Sequence, residues 1–141
     1  MADPLTRNDY QFFMPITTRW MDNDVYGHVN NVTYYSYFDT VANTYLIEQG
    51  NLDIHGGDTI GFVVNSQCSY HSAIAFPDAL EGALRVNRLG NSSVEYGIGI
   101  FRKGEAVAAA DGTFTHVFVK RDSQRPTPIP ASLRDALEQI A

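Results

Sequence analysis

The chain has 141 residues, 44% hydrophobic and 18% charged, with a net charge of −6 at neutral pH and an isoelectric point near 5.0. That length and balance describe one globular domain with a real core and exclude a disordered chain. The acidic balance argues against a broad nucleic-acid or anionic-membrane surface, so neither is an expected partner.

The N-terminus, MADPLTRNDYQ, has no apolar core segment and does not read as a signal peptide. The longest wholly apolar run, Ala106–Ala110, is far too short to span a bilayer. One cysteine, Cys68, cannot form an internal disulfide. These features predict a soluble protein of a reducing compartment, the cytoplasm.

In chain order, Phe12–Arg19 mixes aromatics, Ile and Thr in a way that suits a strand. A polar loop follows, MDNDVYGHVNN, and then a helix. Val32, Tyr35, Phe38, Val41, Ala42, Tyr45 and Leu46 recur at spacings of three and four. Asn30 or Asn31 serves as its N-cap, and Gly50 stands where a C-terminal glycine stop belongs. Tyr34, Tyr37 and Ile47 widen the apolar surface beyond one stripe, which predicts a helix enclosed on most sides.

Residues 60–120 read as β throughout. Phe62, Val64, Ser66, Cys68 and Tyr70 alternate against Val63, Asn65, Gln67, Ser69 and His71. Strands over 80–89, 94–101 and 107–119 follow, with hairpin turns at 89–92 and 102–105 and a bulge expected at Gly112. Pro126, Pro128 and Pro130 then precede a short amphipathic helix, Leu133–Ile140. One strand, one buried helix and four successive antiparallel strands make an α+β domain with a single sheet. Its open edges predict pairing with a second subunit.

The loop before the helix concentrates Asp22, Asp24, His28, Asn30 and Asn31. A helix start offers free N–H groups and the positive end of the dipole, which stabilise a developing oxyanion. A carboxylate beside it can activate water or attack a carbonyl. By residue type alone, acids and asparagines before a helix are more often caps and turn formers than catalysts. The four histidines (His28, His55, His71, His116) lack metal-ligand spacing, so no metal and no cofactor is expected. Cys68 reads as core, and Ser92 and Ser93 as turn residues. There is no nucleophile elbow, P-loop or dinucleotide fingerprint. The helix tyrosines read as core, with one or two available to line an acyl pocket.

The stretch RWMDNDVYGHVNNVTYYSYFDTVANTYL resembles the opening of the 4-hydroxybenzoyl-CoA thioesterase-like branch of hotdog-fold proteins, whose D-x-D-x-x-G-H-V-N-N run falls on Asp22, Asp24, Gly27, His28, Val29, Asn30 and Asn31. Val63-Val64, Tyr70 before Ala-Phe-Pro-Asp at 75–78, Leu-Gly-Asn-Ser-Ser at 89–93 and Arg-Pro-Thr-Pro-Ile-Pro at 125–130 extend the likeness over residues 12–135. The resemblance implies a single hotdog domain over 1–141: an antiparallel sheet wrapped around one long central helix, with sheets paired between subunits of a homodimer or homotetramer. Residues 1–10 form an N-terminal extension and 131–141 a short C-terminal helix. It implies hydrolysis of an acyl-CoA to a free acid and CoA. By the same resemblance Asp24 is expected to be the catalytic carboxylate, as nucleophile or general base, and Asp22 a supporting loop acid. The resemblance implies a substrate and oxyanion site formed by Gly27, His28, Asn30 and Asn31. The basic run that binds nucleotide phosphates in some relatives is reduced to Arg88 at 88–92, with Arg85 nearby as a further contact. Arg102, Lys103, Lys120 and Arg121 are possible substitutes. An acyl-carrier-protein thioesterase, a non-catalytic acyl-binding module and a hotdog dehydratase or hydratase are the alternatives.

Overall fold

The computed structural model describes residues 3–141, so the first two residues of the expected N-terminal extension lie outside it. Five strands form one antiparallel sheet: β1 (Phe12–Thr17), β2 (Thr59–Tyr70), β3 (Ala79–Leu89), β4 (Ser93–Arg102) and β5 (Ala110–Lys120). Helix α1 (Asn31–Glu48) lies across one face of the sheet, and α2 (Ala131–Glu138) closes one end. Phe38, Val41, Ala42 and Leu46 of α1, all fully buried, pack with Tyr96, Ile98, Ile100, Phe114 and Phe118 of the sheet. Each large side chain buried this way contributes about 1.5–3 kcal/mol, and together they hold the helix on the sheet.

The strand order is β1-β3-β4-β5-β2, so the strands do not follow one another across the sheet as expected. The hairpins β3–β4 and β4–β5 form locally, but β2 skips β3 and runs along β5, from Thr59↔Lys120 to Tyr70↔Ala110. Alternation reports which face a residue takes and says nothing of its strand's neighbour. β1 and β2 become the two edges.

Several local expectations shift. β1 stops at Thr17, because Thr18 turns inward and its Oγ1 donates to the Asp78 carbonyl at 2.7 Å. β5 begins at Ala110 rather than Val107, which is drawn instead into an isolated bridge with Thr6. Gly112 is not a bulge: it pairs in register with Cys68 and Ile98, and a Cβ there would lie 1.9 Å from the Gln67 carbonyl oxygen. The irregularities fall between Val63 and Asn65 and between Val86 and Arg88. Gly50 is not the left-handed stop; Asn51 holds that conformation, at φ 58°. Gly50 is small because α2 packs there, and an added Cβ would sit 2.5 Å from Leu133 Cδ2. Tyr34 and Tyr37 are buried as the helix pattern required, whereas Ile47 is exposed.

Candidate active site

The loop between β1 and α1 is a tight, internally bonded structure. A 3-10 turn, Trp20–Asp22, leads into a short bridge between Asn23 and Val29. Asp24 N–H donates to the His28 carbonyl (2.9 Å) and Gly27 N–H to the Asp24 carbonyl (3.1 Å), closing a turn that Gly27 completes at φ 84°. A Cβ on Gly27 would meet no atom within 4 Å, yet at that φ any side chain is strained, so the glycine serves the backbone. The loop is pinned from outside by Val29 N–H on the Ile74 carbonyl and Phe76 N–H on Asn23 Oδ1.

The two acids of the loop have opposite surroundings. Asp22 is 1% exposed and fully engaged. Its Oδ2 accepts from the Tyr37 hydroxyl (2.7 Å) and Arg19 N–H (2.9 Å), and its Oδ1 accepts from the Arg19 guanidinium. Burial pushes its carboxyl up, but the bonds from Tyr37 and Arg19 outweigh burial and hold it below the usual range. Burial, reinforced by Asp22, keeps the Tyr37 hydroxyl protonated far above an ordinary phenol. Asp24 is half-exposed. Its Oδ1 accepts from Tyr26 N–H (2.9 Å), and its Oδ2 has no partner among the described residues.

Asn30 is the N-cap of α1. Its Oδ1 accepts from Val32 N–H (3.3 Å), its carbonyl from Thr33 N–H, and its own N–H goes to the Asp22 carbonyl (2.9 Å). Among the described residues, the N–H groups of Asn31 and His28 have no acceptor, while those of Gly27 and Asn30 are taken. Of the four expected oxyanion residues, Asn31 and His28 therefore keep donors available. The free Asn31 donor sits at the positive end of an 18-residue helix.

Two recesses flank this helix start. One, about 700 Å³ and open, is lined by Trp20, Asn23, Asp24, Val25, Gly27 and Asn30. The other, about 330 Å³ and also open, is bordered by His28, Asn31, Tyr34, Tyr70 and His71. The sequence did not mark Tyr70 or Trp20 as site residues, because an aromatic residue on a strand or in a loop carries no sign of what it faces. A third cavity, about 370 Å³, lies across Phe76 beside β1 and contains no member of the loop motif.

Arg85 and Arg88 are not brought to this site within one chain. Arg85 donates to Asn87 Oδ1 and the Asp9 carbonyl and lies over the Tyr10 ring. Ala79 pairs with Thr17 at the loop end of β3, and Arg88 is nine residues further along, roughly 30 Å of strand. Arg102 and Lys103 lie at the loop end, where Arg102 bonds the Ala73 carbonyl and Ser72. His71 borders the smaller recess with His28 and pairs with Asp111 (3.0 Å), and His116 is buried against Tyr96, whose Oη lies 3.1 Å from His116 Nδ1. No three His, Cys, Asp or Glu side chains gather as metal ligands among the described residues. Burial pushes the Cys68 thiol up to about 11, unsuited to a nucleophile.

Comparison with known proteins fits this picture. The curated protein YsmA of Bacillus subtilis is 27% identical over 88 residues, and the match spans 62% of this chain and 59% of YsmA. The crystal structure of the PA5185 protein from Pseudomonas aeruginosa superposes with a TM-score of 0.96 at 57% identity, covering 99% of this chain and 96% of that one. PA2801 from Pseudomonas aeruginosa, described as a putative thioesterase, superposes at 0.82 with 28% identity, covering 89% and 96%. The thioesterase superfamily profile matches residues 26–109, more than half of the chain, beginning just after Asp24. With the sheet, the enclosed helix and this profile in agreement, the chain has the hotdog fold and belongs to the thioesterase superfamily.

Proposed function

We propose that the protein is an acyl-CoA thioesterase that releases a free carboxylic acid and CoA. One observation carries the reading: among the described residues, Asp24 Oδ2 has no partner and borders an open recess at a helix start whose Asn31 N–H has no acceptor. The substrate carbonyl oxygen accepts from Asn31 N–H, with His28 N–H as second donor, and the helix dipole favours the negative charge that grows there. Asp24 Oδ2 then acts by one of two routes. It attacks the carbonyl carbon, the C–S bond breaks, CoA leaves as thiolate, and water hydrolyses the mixed anhydride. Alternatively it takes a proton from the water that attacks, and the tetrahedral intermediate expels the thiolate. Rapid quenching and intact mass measurement separate the routes, because only the first leaves an acyl group on the protein.

The same reading includes a homodimer or homotetramer. β2 is a free edge, and Phe62, Val63 and Val64 on it are exposed, which suits pairing with a second copy. Arg85 and Arg88 serve CoA phosphates in this reading when a neighbouring subunit supplies them. Among the described residues no helix is long and apolar enough to cross a membrane. A lone, partly buried Cys68 is in keeping with the cytoplasm.

The experiment is a panel of acyl-CoAs with thiol detection, repeated with the same acyl group on acyl carrier protein. Thiol release from CoA that disappears in Asp24→Asn supports the proposal. Saturable binding without thiol release favours the acyl-binding module, and strong preference for the protein carrier favours the other thioesterase.

A further inference from the structure

The cavity of about 370 Å³ beside β1 is less open than either recess at the helix start. It lies at the opposite edge of the sheet from β2, away from the strand offered to a second copy. Its lining is mostly apolar. Phe13 and Pro15 of β1 border it together with Phe76 and Pro77 of the loop before β3, and it reaches inward to Leu80, a core residue 1% exposed. The charged groups around it are paired, with one exception. The Asp78 carboxylate accepts from Ala75 N–H (3.0 Å) and lies 3.9 Å from the Arg102 guanidinium. The Glu81 carboxylate accepts from Arg7 and from Gly104 N–H (3.2 Å). Lys103 is the exception: its ammonium has no partner among the described residues. Thr17, Ala79 and Lys103 stand in one row across the sheet, because Thr17 pairs with Ala79 and Lys103 N–H donates to the Ala79 carbonyl (2.9 Å). The small residue in the middle leaves a gap between an ammonium and a hydroxyl, and the Thr17 hydroxyl is also without a partner among the described residues.

We propose that this cavity is a binding site, separate from Asp24, for a small monocarboxylic acid with an apolar body. The carboxylate accepts from the Lys103 ammonium and the Thr17 hydroxyl above Ala79, and the apolar body lies along Phe13, Pro15 and Phe76 toward Leu80. An apolar cavity of about 150 Å³ holds benzene, so 370 Å³ has room for a ring with a short side chain or a straight acid of about eight carbons. The acids at the rim do not take the place of the ligand's charge, because Arg102 and Arg7 already hold them. Free acids of this class are also what hydrolysis of a thioester releases, yet the site does not depend on that activity. Phe76 links it to the catalytic loop. Its ring packs edge to face on Trp20 (6.0 Å, 81°), and its N–H donates to Asn23 Oδ1 (2.9 Å). Trp20 is the only tryptophan of the sequence, so its emission reports a ligand pressed against Phe76.

The test is calorimetric titration of the wild type, Lys103→Gln and Ala79→Leu with butyrate, hexanoate, octanoate and octanamide, with Trp20 emission followed in parallel. The wild type should bind octanoate saturably, with affinity rising by up to about fourfold for each methylene added from butyrate onward. Emission should change with the same midpoint. Lys103→Gln should weaken octanoate by at least about fivefold and leave the uncharged octanamide within about twofold. Ala79→Leu, which fills the gap in the row, should weaken all four ligands. Lys103 is an exposed side chain, so its variant keeps the test alive if Ala79→Leu fails to fold. Octanoate affinity unchanged in Lys103→Gln overturns the proposal, because an acid held in the Asp24 recess would ignore that substitution. The absence of saturable binding at millimolar octanoate overturns it as well. Either result stands whether or not the protein releases thiol from an acyl-CoA, so this inference and the thioesterase reading fail separately.

Discussion

At its C-terminal end α1 runs into α2. Gly50 meets Leu133 there, the Tyr45 hydroxyl donates to the Ala136 carbonyl, and Leu133 and Leu137 are buried. At its N-terminal end the same helix is open. Trp20, Met21, Val25, Tyr26 and Val32 are 65–94% exposed, and the Asn31 donor has no acceptor among the described residues. The contrast teaches a division of labour along one helix. Donors at a helix start can serve a substrate only if the protein leaves them without partners, so stability at that end comes from a few braces. The packing that fixes the helix runs along its sheet-facing side from Tyr34 to Leu46, and α2 adds to it at the other end.

The largest expected effect tests the open end. Asp24→Asn keeps the size of the side chain and much of the loop bonding but removes the charge. It should lower kcat by at least about a hundredfold, and more on the covalent route, with stability changed by less than about 1 kcal/mol. Steady-state assay and thermal melting under matched conditions give both numbers. Near-normal turnover would remove the chemical role from this end of the helix.

Asp22→Asn marks where the contrast narrows, because Asp22 lies in the open loop but is buried like the sealed end. It loses charge-assisted bonds to Tyr37 and Arg19, so stability should fall by about 2 kcal/mol, with only a modest loss of activity. The cost stays moderate because Arg19, 61% exposed, is left in water rather than stranded. If Asp22→Asn abolished turnover while Asp24→Asn did not, the roles would be reversed.

Gly50→Ala probes the sealed end alone. The new methyl would press on Leu133 and lie 2.8 Å from the Leu46 carbonyl oxygen, costing about 1–2 kcal/mol of stability and leaving kcat unchanged. Chemical denaturation beside a kinetic assay reads the split. A loss of kcat without a loss of stability would mean that the two ends are coupled.

The smallest effect concerns His116, buried against Tyr96, Phe114 and Phe118 near the start of β2. Burial pushes its pKa down to about 4 from the ordinary 6.5. The unfolded chain therefore binds the proton first, and stability falls as pH drops from about 6.5 toward 4. The loss should be about 1 kcal/mol between pH 7.5 and 5.5. Melting across that window, with His116→Gln as the variant whose slope should flatten, checks it.

The elements themselves were legible because each rests on local chemistry. The apolar spacing of α1, the Asn30 cap, the alternation of the strands and the turns at 89–92 and 102–105 need only their own neighbours. So did the site loop, where acids and a glycine crowd against a helix start. The sequence by itself determined which segments are helix and strand and which loop holds the reactive residue types. Tertiary structure alone decided that β2 pairs with β5, since alternation has no term for a neighbour. It alone showed the different surroundings of Asp22 and Asp24, which the family resemblance had told apart only by position, because two carboxylates two residues apart differ only in what lies around them. Tyr37 from the helix seals one, and solvent reaches the other. It also left Arg85 and Arg88 far along β3 from the loop and set Tyr70 over the first turn of α1, because those distances depend on how strands fold back rather than on residue type.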